Sequence, residues 1–260
     1  MAPMVISTDN PPAHLPLTGK AALITGSARR LGAVIARALH EAGADIVLHY
    51  RSSAEAAASL AAELNQARPG SAVPAQCDLL DIASLTHLAR SSAAAFGRLD
   101  ILVNNASTFY PTPMGEIDGK AWEDLIGTNL KAPLFLAQAV APSLHENHGL
   151  ILNLVDIHGM RPLRRHPVYS IAKAGLIMLT KSLARELGPQ VRVNAVAPGP
   201  VMWPEAGVDE VLRKRIIDRT ALKRSGSPAD IARAALYFAC EAPFVTGQIL
   251  AVDGGRSIGW

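Results

Sequence analysis

The sequence predicts an α/β protein, a single domain built on a doubly wound parallel sheet of about seven strands. Three observations lead there. Seven short apolar runs recur along the 260 residues, at 21–25, 45–50, 72–77, 101–104, 150–155, 191–196 and 249–252. They are near-continuous rather than alternating, the pattern of parallel strands covered on both faces. Between them lie longer stretches of helical period, such as 31–42, 54–66, 82–96 and 169–187. Strand alternating with helix implies right-handed crossovers and one layered sheet.

Composition narrows the function classes. At 260 residues with 49% hydrophobic content, the chain can bury one large core. The net charge of +3 comes from dispersed arginines with few aromatics, which argues against nucleic-acid binding. No window approaches the ~18 uninterrupted apolar residues of a membrane span. Two cysteines, Cys77 and Cys240, imply no disulfide framework, and no Cys/His cluster has metal-ligand spacing. The Pro-rich opening reads as a flexible lead-in over 1–18, without the basic and apolar regions of a secretory signal. The expected setting is the cytoplasm, with one domain over 19–260.

In a doubly wound sheet, ligands collect where the strands end, so the residues after each run matter most. The first run opens into "TGSARRLG". There Gly26 suits a tight turn, and Gly32 permits close packing of helix on strand. The helix beginning at Leu31 points free N–H groups and the positive end of its dipole at this turn, a seat for a pyrophosphate. The second run ends in "HYRSS", from His49 through Tyr50, Arg51 and Ser52 to Ser53. An NAD site would place an acid here for the ribose hydroxyls. Arg51 can instead pair bidentately with a 2′-phosphate and Ser52 can donate to it, so the expected cofactor is NADPH, with Arg29 adding to the positive field. Asp78 and Leu79 follow the third run, Asn105, Ala106 and Ser107 the fourth, and Pro198, Gly199 and Val201 the sixth. All of these are candidate cofactor contacts.

"YSIAK" sets Tyr169 and Lys173 four residues apart, on one face of the helix that follows the fifth run. An ammonium beside a phenol favours the phenolate and draws its pKa down from about 10 toward the working range. The pair is suited to proton transfer. Asp156, thirteen residues before Tyr169, falls at the end of the fifth run.

With "NNAS" at Asn104–Ser107, Asn129 in a following helix, "PGPV" after the sixth run and "VTGQILAVDGG" near the end, the chain resembles the short-chain dehydrogenase/reductase family from about residue 19 to 253. That resemblance implies a Rossmann-type fold and, as the family is commonly tetrameric, a homotetramer. It implies Tyr169 as proton donor, Lys173 holding the ribose and tuning the phenol, and Asn129 supporting a proton-relay water. Two positions depart from the general pattern: Arg30 stands at the usual middle glycine of the loop, and Asp156 at the usual serine. Both departures, with "NNASTFYPTPM", are similar to the pteridine reductase branch. In that branch a pterin lies between the nicotinamide and a Phe ring, which maps onto Phe109. Arg30 would reach both pterin and cofactor phosphate, Ser107 would hydrogen-bond nearby, and Asp156 would pass a proton through Tyr169 to a ring nitrogen.

The expected activity is therefore NADPH-dependent reduction of dihydropterin rings, with dihydrofolate or oxidised pterins as further substrates. A carbonyl reductase with Asp156 an incidental variant is the alternative. A non-catalytic NADP(H)-binding sensor is the remaining one, though it has no chemical use for Tyr169, Lys173 and Asn129 together. Residues 202–227 are the expected substrate lid, where Trp203 is either a closing residue or a packed one. The basic "RPLRRH" at 161–166 reads as a solvated loop that could also attract an anionic substrate tail. His49 and His158 fall at strand ends and are assigned ordinary packing roles. Tyr110 and Trp122 read as packing residues.

Overall fold

The computed structural model describes residues 15–203, 207 and 209–259. The expected lead-in lies, up to residue 14, outside the described residues. From Leu17, which is buried beneath the first helix, the chain is part of the core.

Seven parallel strands form one sheet: β1 (Ala21–Ile24), β2 (Asp45–Tyr50), β3 (Ala72–Gln76), β4 (Ile101–Asn104), β5 (Leu150–Leu154), β6 (Arg192–Pro198) and β7 (Ile249–Val252). Their spatial order is β3-β2-β1-β4-β5-β6-β7. The order reverses between β1 and β4, so the crossovers on either side diverge and leave a crevice at the strands' carboxyl ends. Strand ends differ from the sequence reading by one or two residues. β6 runs on to Pro198, whose partner is Val252 of β7, the edge strand.

Among the described residues eight α-helices flank the sheet: α1 (Arg30–Glu41), α2 (Ala54–Ala67), α3 (Ile82–Phe96), α4 (Gly119–Ile126), α5 (Ala132–Glu146), α6 (Pro167–Glu186), α7 (Glu210–Asp218) and α8 (Pro228–Leu236). Alternate strand residues face opposite layers, as the pleat requires. Ala22, Ile24, Ile46, Leu48, Ile101 and Val103 pack under α1, α2 and α8. Leu23, Val47, Leu102, Ile151 and Val193 pack under α3, α5 and the end of α6. Because the inner strands β1, β2, β4, β5 and β6 are largely buried on both faces, most of their positions are apolar, which is why those runs lack alternation. α8 carries a start signal in its sequence: Ser227 and Asp230 form a reciprocal capping box, with Pro228 in the first turn. No helix among the described residues is long and apolar enough to cross a membrane.

The turn from β1 to α1 is pinned to its neighbours by buried polar groups. The Gly26 amide donates to His49 Nδ1 at 3.0 Å. An amide can only donate, so Nδ1 must accept, and the ring proton sits on Nε2 and is donated to the Cys77 carbonyl at 3.1 Å. One neutral imidazole thus ties β1, β2 and the end of β3 together. Burial pushes its pKa down from 6.5 to about 4.

This clamp has a pH signature. The unfolded chain binds a proton at His49 near pH 6.5, while the folded chain resists it until about 4. The unfolded state therefore holds more protons between these values, and stability is lost as pH falls through that window, by up to ~3 kcal/mol. In urea unfolding at pH 7 and 4.5, His49→Gln, which keeps one acceptor and one donor but does not titrate, is expected to show a smaller loss than the wild type. Equal losses in both proteins would show that the ring is not the clamp.

Candidate active site

A cleft of about 470 Å³ opens at the switch point between β1 and β4. Gly26, Arg29, Arg30, Leu31 and Gly32 line it from the first turn, His49, Tyr50, Arg51 and Ser52 from the end of β2, and Asp78 with Leu79 from beyond β3. Asn105, Ala106 and Ser107 close the far wall. These are all candidate residues of the sequence analysis, drawn together from four strand ends. Ala28, Ser53, Thr108, Thr128 and Met202 join them. Ala28, Ser53 and Thr108 fall within the strand-end segments of the sequence analysis and Met202 at the start of the expected lid, whereas the sequence marks Thr128 only by its place beside Asn129.

The wall is shaped for an anion. Gly26 takes φ +62°. A Cβ on Gly32 would lie 2.4 Å from the Gly26 carbonyl oxygen and 2.6 Å from Asn105 Nδ2, so only hydrogen fits. Asn105 does not reach into the cleft with its amide, which donates to the Thr25 and Gly26 carbonyls at 2.8 and 3.1 Å and stiffens the turn. Arg29 is the N-cap of α1 but makes no side-chain cap bond, and the first turn carries no acid. The amides at the N-terminus of α1 are thus left for a ligand. Arg51 is exposed at the cleft rim, and no carboxylate pairs with it among the described residues. The cradle, the helix terminus and the rim cation together fit a dinucleotide carrying a 2′-phosphate.

Arg30 keeps a left-handed backbone, φ +55°, at the position where the family uses glycine. That conformation costs a residue with a Cβ about 1–2 kcal/mol. Its guanidinium donates to the Trp203 carbonyl at 3.0 Å, so the loop is tied to the segment leading toward α7. The Trp203 ring lies 5.4 Å beneath the Arg213 guanidinium of α7, a packed position. Most of 202–227 is described, but 204–206 and 208 lie outside the described residues. Pro198, Gly199 and Val201 sit at the end of β6 without lining the cleft. Gly199 N–H donates to the Val252 carbonyl at 3.1 Å, and Val201 N–H to the Gly199 carbonyl at 2.8 Å.

Beside the cleft, Asp156, Tyr169, Lys173 and Asn129 form the second half of the site. Asp156 caps a short 3-10 turn after β5, accepting from the His158 amide at Oδ1 (2.8 Å). Its other oxygen, Oδ2, accepts from the Tyr169 hydroxyl at 2.7 Å. Tyr169 and Lys173 stand one turn apart on α6, both buried. Lys173 Nζ donates to the Leu154 carbonyl at 2.8 Å and lies 5.7 Å from the centre of the Tyr169 ring. Burial lowers the Lys173 pKa to about 8, with Asp156 opposing the shift.

The phenol departs from expectation. Its pKa is held well above the ordinary value, first by burial and then by the charge and hydrogen bond of Asp156; the Ser107 hydroxyl alone works in the other direction. Burial and a carboxylate that accepts the phenol's hydrogen bond both favour the neutral form. Tyr169 is thus kept as a protonated donor rather than eased toward the phenolate.

Asn129 lies in a π-helical turn, Gly127–Lys131, between α4 and α5. Its amide donates to the Leu125 and Thr108 carbonyls at 2.9 and 3.0 Å, and its oxygen accepts from the Ser107 hydroxyl at 2.6 Å. Ser107 lines the cleft and also touches Tyr169, so it joins the two halves of the site. Phe109, half exposed, stands edge-to-face with Tyr169, ring centroids 4.8 Å apart and planes at 78°. Tyr110 packs against Val168 and Tyr169 and donates to Asp124 at 3.0 Å, while Trp122 is partly exposed on α4. Sequence reasoning missed His166, whose ring stacks on Phe109; only its place three residues before Tyr169 could have signalled it.

A family model described as enoyl-(acyl carrier protein) reductase matches residues 26–257. Pteridine reductase 1 of Leishmania tarentolae is 38% identical over 93% of this chain and 97% of its own. A 3-oxoacyl-(acyl-carrier-protein) reductase of Staphylococcus aureus is 34% identical over 91% of this chain and 97% of its own. Among solved structures, a blue fluorescent protein from a metagenomic library, in complex with NADPH, superposes with a TM-score of 0.87 at 33% identity, over 93% of this chain and 99% of its own.

The Asp156–Tyr169 contact can be read by spectroscopy. With four tyrosines in the chain, alkaline titration of tyrosinate absorbance is expected to show a lower midpoint for one phenol in Asp156→Asn than in the wild type. An unchanged titration would mean that the carboxylate does not hold the Tyr169 proton.

Proposed function

The chain belongs to the short-chain dehydrogenase/reductase family of oxidoreductases, and from that premise we propose that it is an NADPH-dependent pteridine reductase. Its substrates would be dihydropterin rings, with dihydrofolate or oxidised pterins as further candidates. The observation that carries this reading is the 2.7 Å hydrogen bond from Tyr169 to a carboxylate. A carboxylate beside the donor repels the oxygen of a ketone as it gains negative charge, whereas it suits a ring nitrogen that must receive a proton. The half-exposed Phe109 and the likeness to the Leishmania enzyme support the same conclusion.

NADPH, when bound, supplies the hydride. The amides at the start of α1 and the Gly26–Gly32 turn would hold its pyrophosphate, and Arg51 with Ser52 its 2′-phosphate. Asp78 and Leu79 would border the adenine, and Lys173 would hold the ribose near the nicotinamide. Phe109 presents a face on which a planar substrate can lie within reach of Tyr169. Tyr169 donates its proton to the substrate nitrogen, and the phenolate left behind is reprotonated along the short bond to Asp156 once that carboxylate has taken up a proton from solvent. Asn129, held by three hydrogen bonds, keeps Ser107 aimed at the same point and supports a relay water.

The Staphylococcus relative favours a second reading, reduction of a carbonyl on the same scaffold. The two separate on one substitution. Asp156→Ser is expected to depress the rate with a dihydropterin; under the carbonyl reading the substitution should help rather than hurt, raising the rate with a ketone with no loss on a dihydropterin. Tyr169→Phe is expected to lower kcat by about 10²–10⁴-fold while NADPH binding persists, since it removes only the proton donor. Arg51→Ser should raise the KM for NADPH about tenfold or more and leave NADH little changed, because a charge-assisted pair is lost. Equal effects on both cofactors would remove Arg51 from the phosphate site.

Partly exposed apolar side chains on the outer faces of α5 and α6, Leu134, Ile171 and Met178, support a homotetramer. Two unpaired cysteines are in keeping with a cytoplasmic setting.

A further inference from the structure

We infer that His166 is a positioning residue for the substrate: it backs Phe109 and fixes the plane on which the substrate ring lies. The inference rests on the pterin reading above for the identity of the ring. The His166 and Phe109 rings are 4.7 Å apart at their centroids and inclined by only 9°, a face-to-face stack. Phe109 meets Tyr169 at 78°. One face of the Phe ring is therefore covered by imidazole, and the face left over is the one a planar ligand can use.

His166 is itself held firmly. It is the N-cap residue of α6, with its amide donating to the Leu163 carbonyl at 3.1 Å and its Nδ1 2.9 Å from the Arg164 carbonyl. The Phe109 loop is anchored to the same segment, because the Thr112 amide donates to the Arg165 carbonyl at 2.7 Å. On its other side the loop is held by Asn129, which donates to the Thr108 carbonyl. With both ends fixed, the Phe109 side chain retains rotamer freedom only at its exposed ring, and the stack removes it. His166 immediately precedes α6 and Tyr169 stands in its first turn, so the platform and the proton donor are set by the same helix start. A half-exposed Phe without this backing could turn its edge to the substrate and lose the stacked contact.

His166→Ala, His166→Phe and the wild type would be compared with a dihydropterin and NADPH. The expected result is a rise of about three- to tenfold in the pterin KM for His166→Ala, the range an aromatic pair supplies. kcat and the NADPH KM should stay near wild type, and His166→Phe, which can still stack, should restore the pterin KM. A pterin KM unchanged in His166→Ala, or no rescue by Phe, would overturn the inference. A lowered KM would also overturn it, since the imidazole would then be covering the substrate's face. A second measurement is independent of any substrate. With 4-fluorophenylalanine in the five Phe positions, the ¹⁹F resonance of Phe109, assigned by Phe109→Leu, should move or broaden in His166→Ala. A resonance that does not move would show that the stack does not fix Phe109. Wild-type protein that turns over no pterin, with the resonance still moving in His166→Ala, would reject the pterin reading while leaving the stack in place.

Discussion

The hydrogen bonds that hold the turn between β1 and α1 are the constraint on which the rest of the site depends. Gly26 must leave the strand in a left-handed conformation close to Asn105 and Gly32. Three polar groups keep it there: the buried neutral His49 ring from β2, the buried Thr25 hydroxyl that accepts from the Asn105 and Ala106 amides, and the half-buried Asn105 amide. Buried polar groups that are all satisfied rigidify their surroundings, and each one left unpaired costs more than the bond itself contributes. The turn is therefore held in place before any ligand arrives, and the N-terminus of α1 is aimed by the sheet rather than by its own cap.

A second polar assembly stands on the other side of the crevice. Asp156 and Tyr169 come from consecutive elements, β5's end and α6, and meet because the 3-10 turn brings the chain back onto the helix. Burial and the carboxylate together keep the phenol protonated. Lys173 is buried and donates its ammonium to the Leu154 carbonyl. This balance matters for chemistry: a phenol beside a carboxylate enters the reaction protonated.

The two halves meet at Ser107. Its hydroxyl is oriented by Asn129, and Asn129 is available because the helix widens into a π turn at that point. The side-chain amide takes up the Leu125 carbonyl four residues back. Irregular turns inside helices often mark functional positions for this reason, since they free a backbone group for a side chain to use. Arg30 is a comparable case. A strained backbone is retained where glycine would be relaxed, and the guanidinium it presents reaches across to the Trp203 carbonyl.

Much of the protein was legible in its sequence because the determinants are local. The near-continuous apolar runs specify strands buried on both faces, and the spacing of Tyr169 and Lys173 specifies one helix face. The absence of an acid after β2 leaves Arg51 as the rim charge. What the tertiary structure decided depends on groups far apart in the chain. The tautomer of His49 follows from an amide 23 residues away, and no pattern around His49 contains it. The raised pKa of Tyr169 follows from burial together with Asp156, where spacing alone argued for a lowered one. The stack of His166 on Phe109 joins two segments, 161–166 and 104–114, that nothing in the sequence links to each other. Periodicity and spacing record what a residue does to its own helix or strand; electrostatics and ring contacts are set by what the fold packs against it.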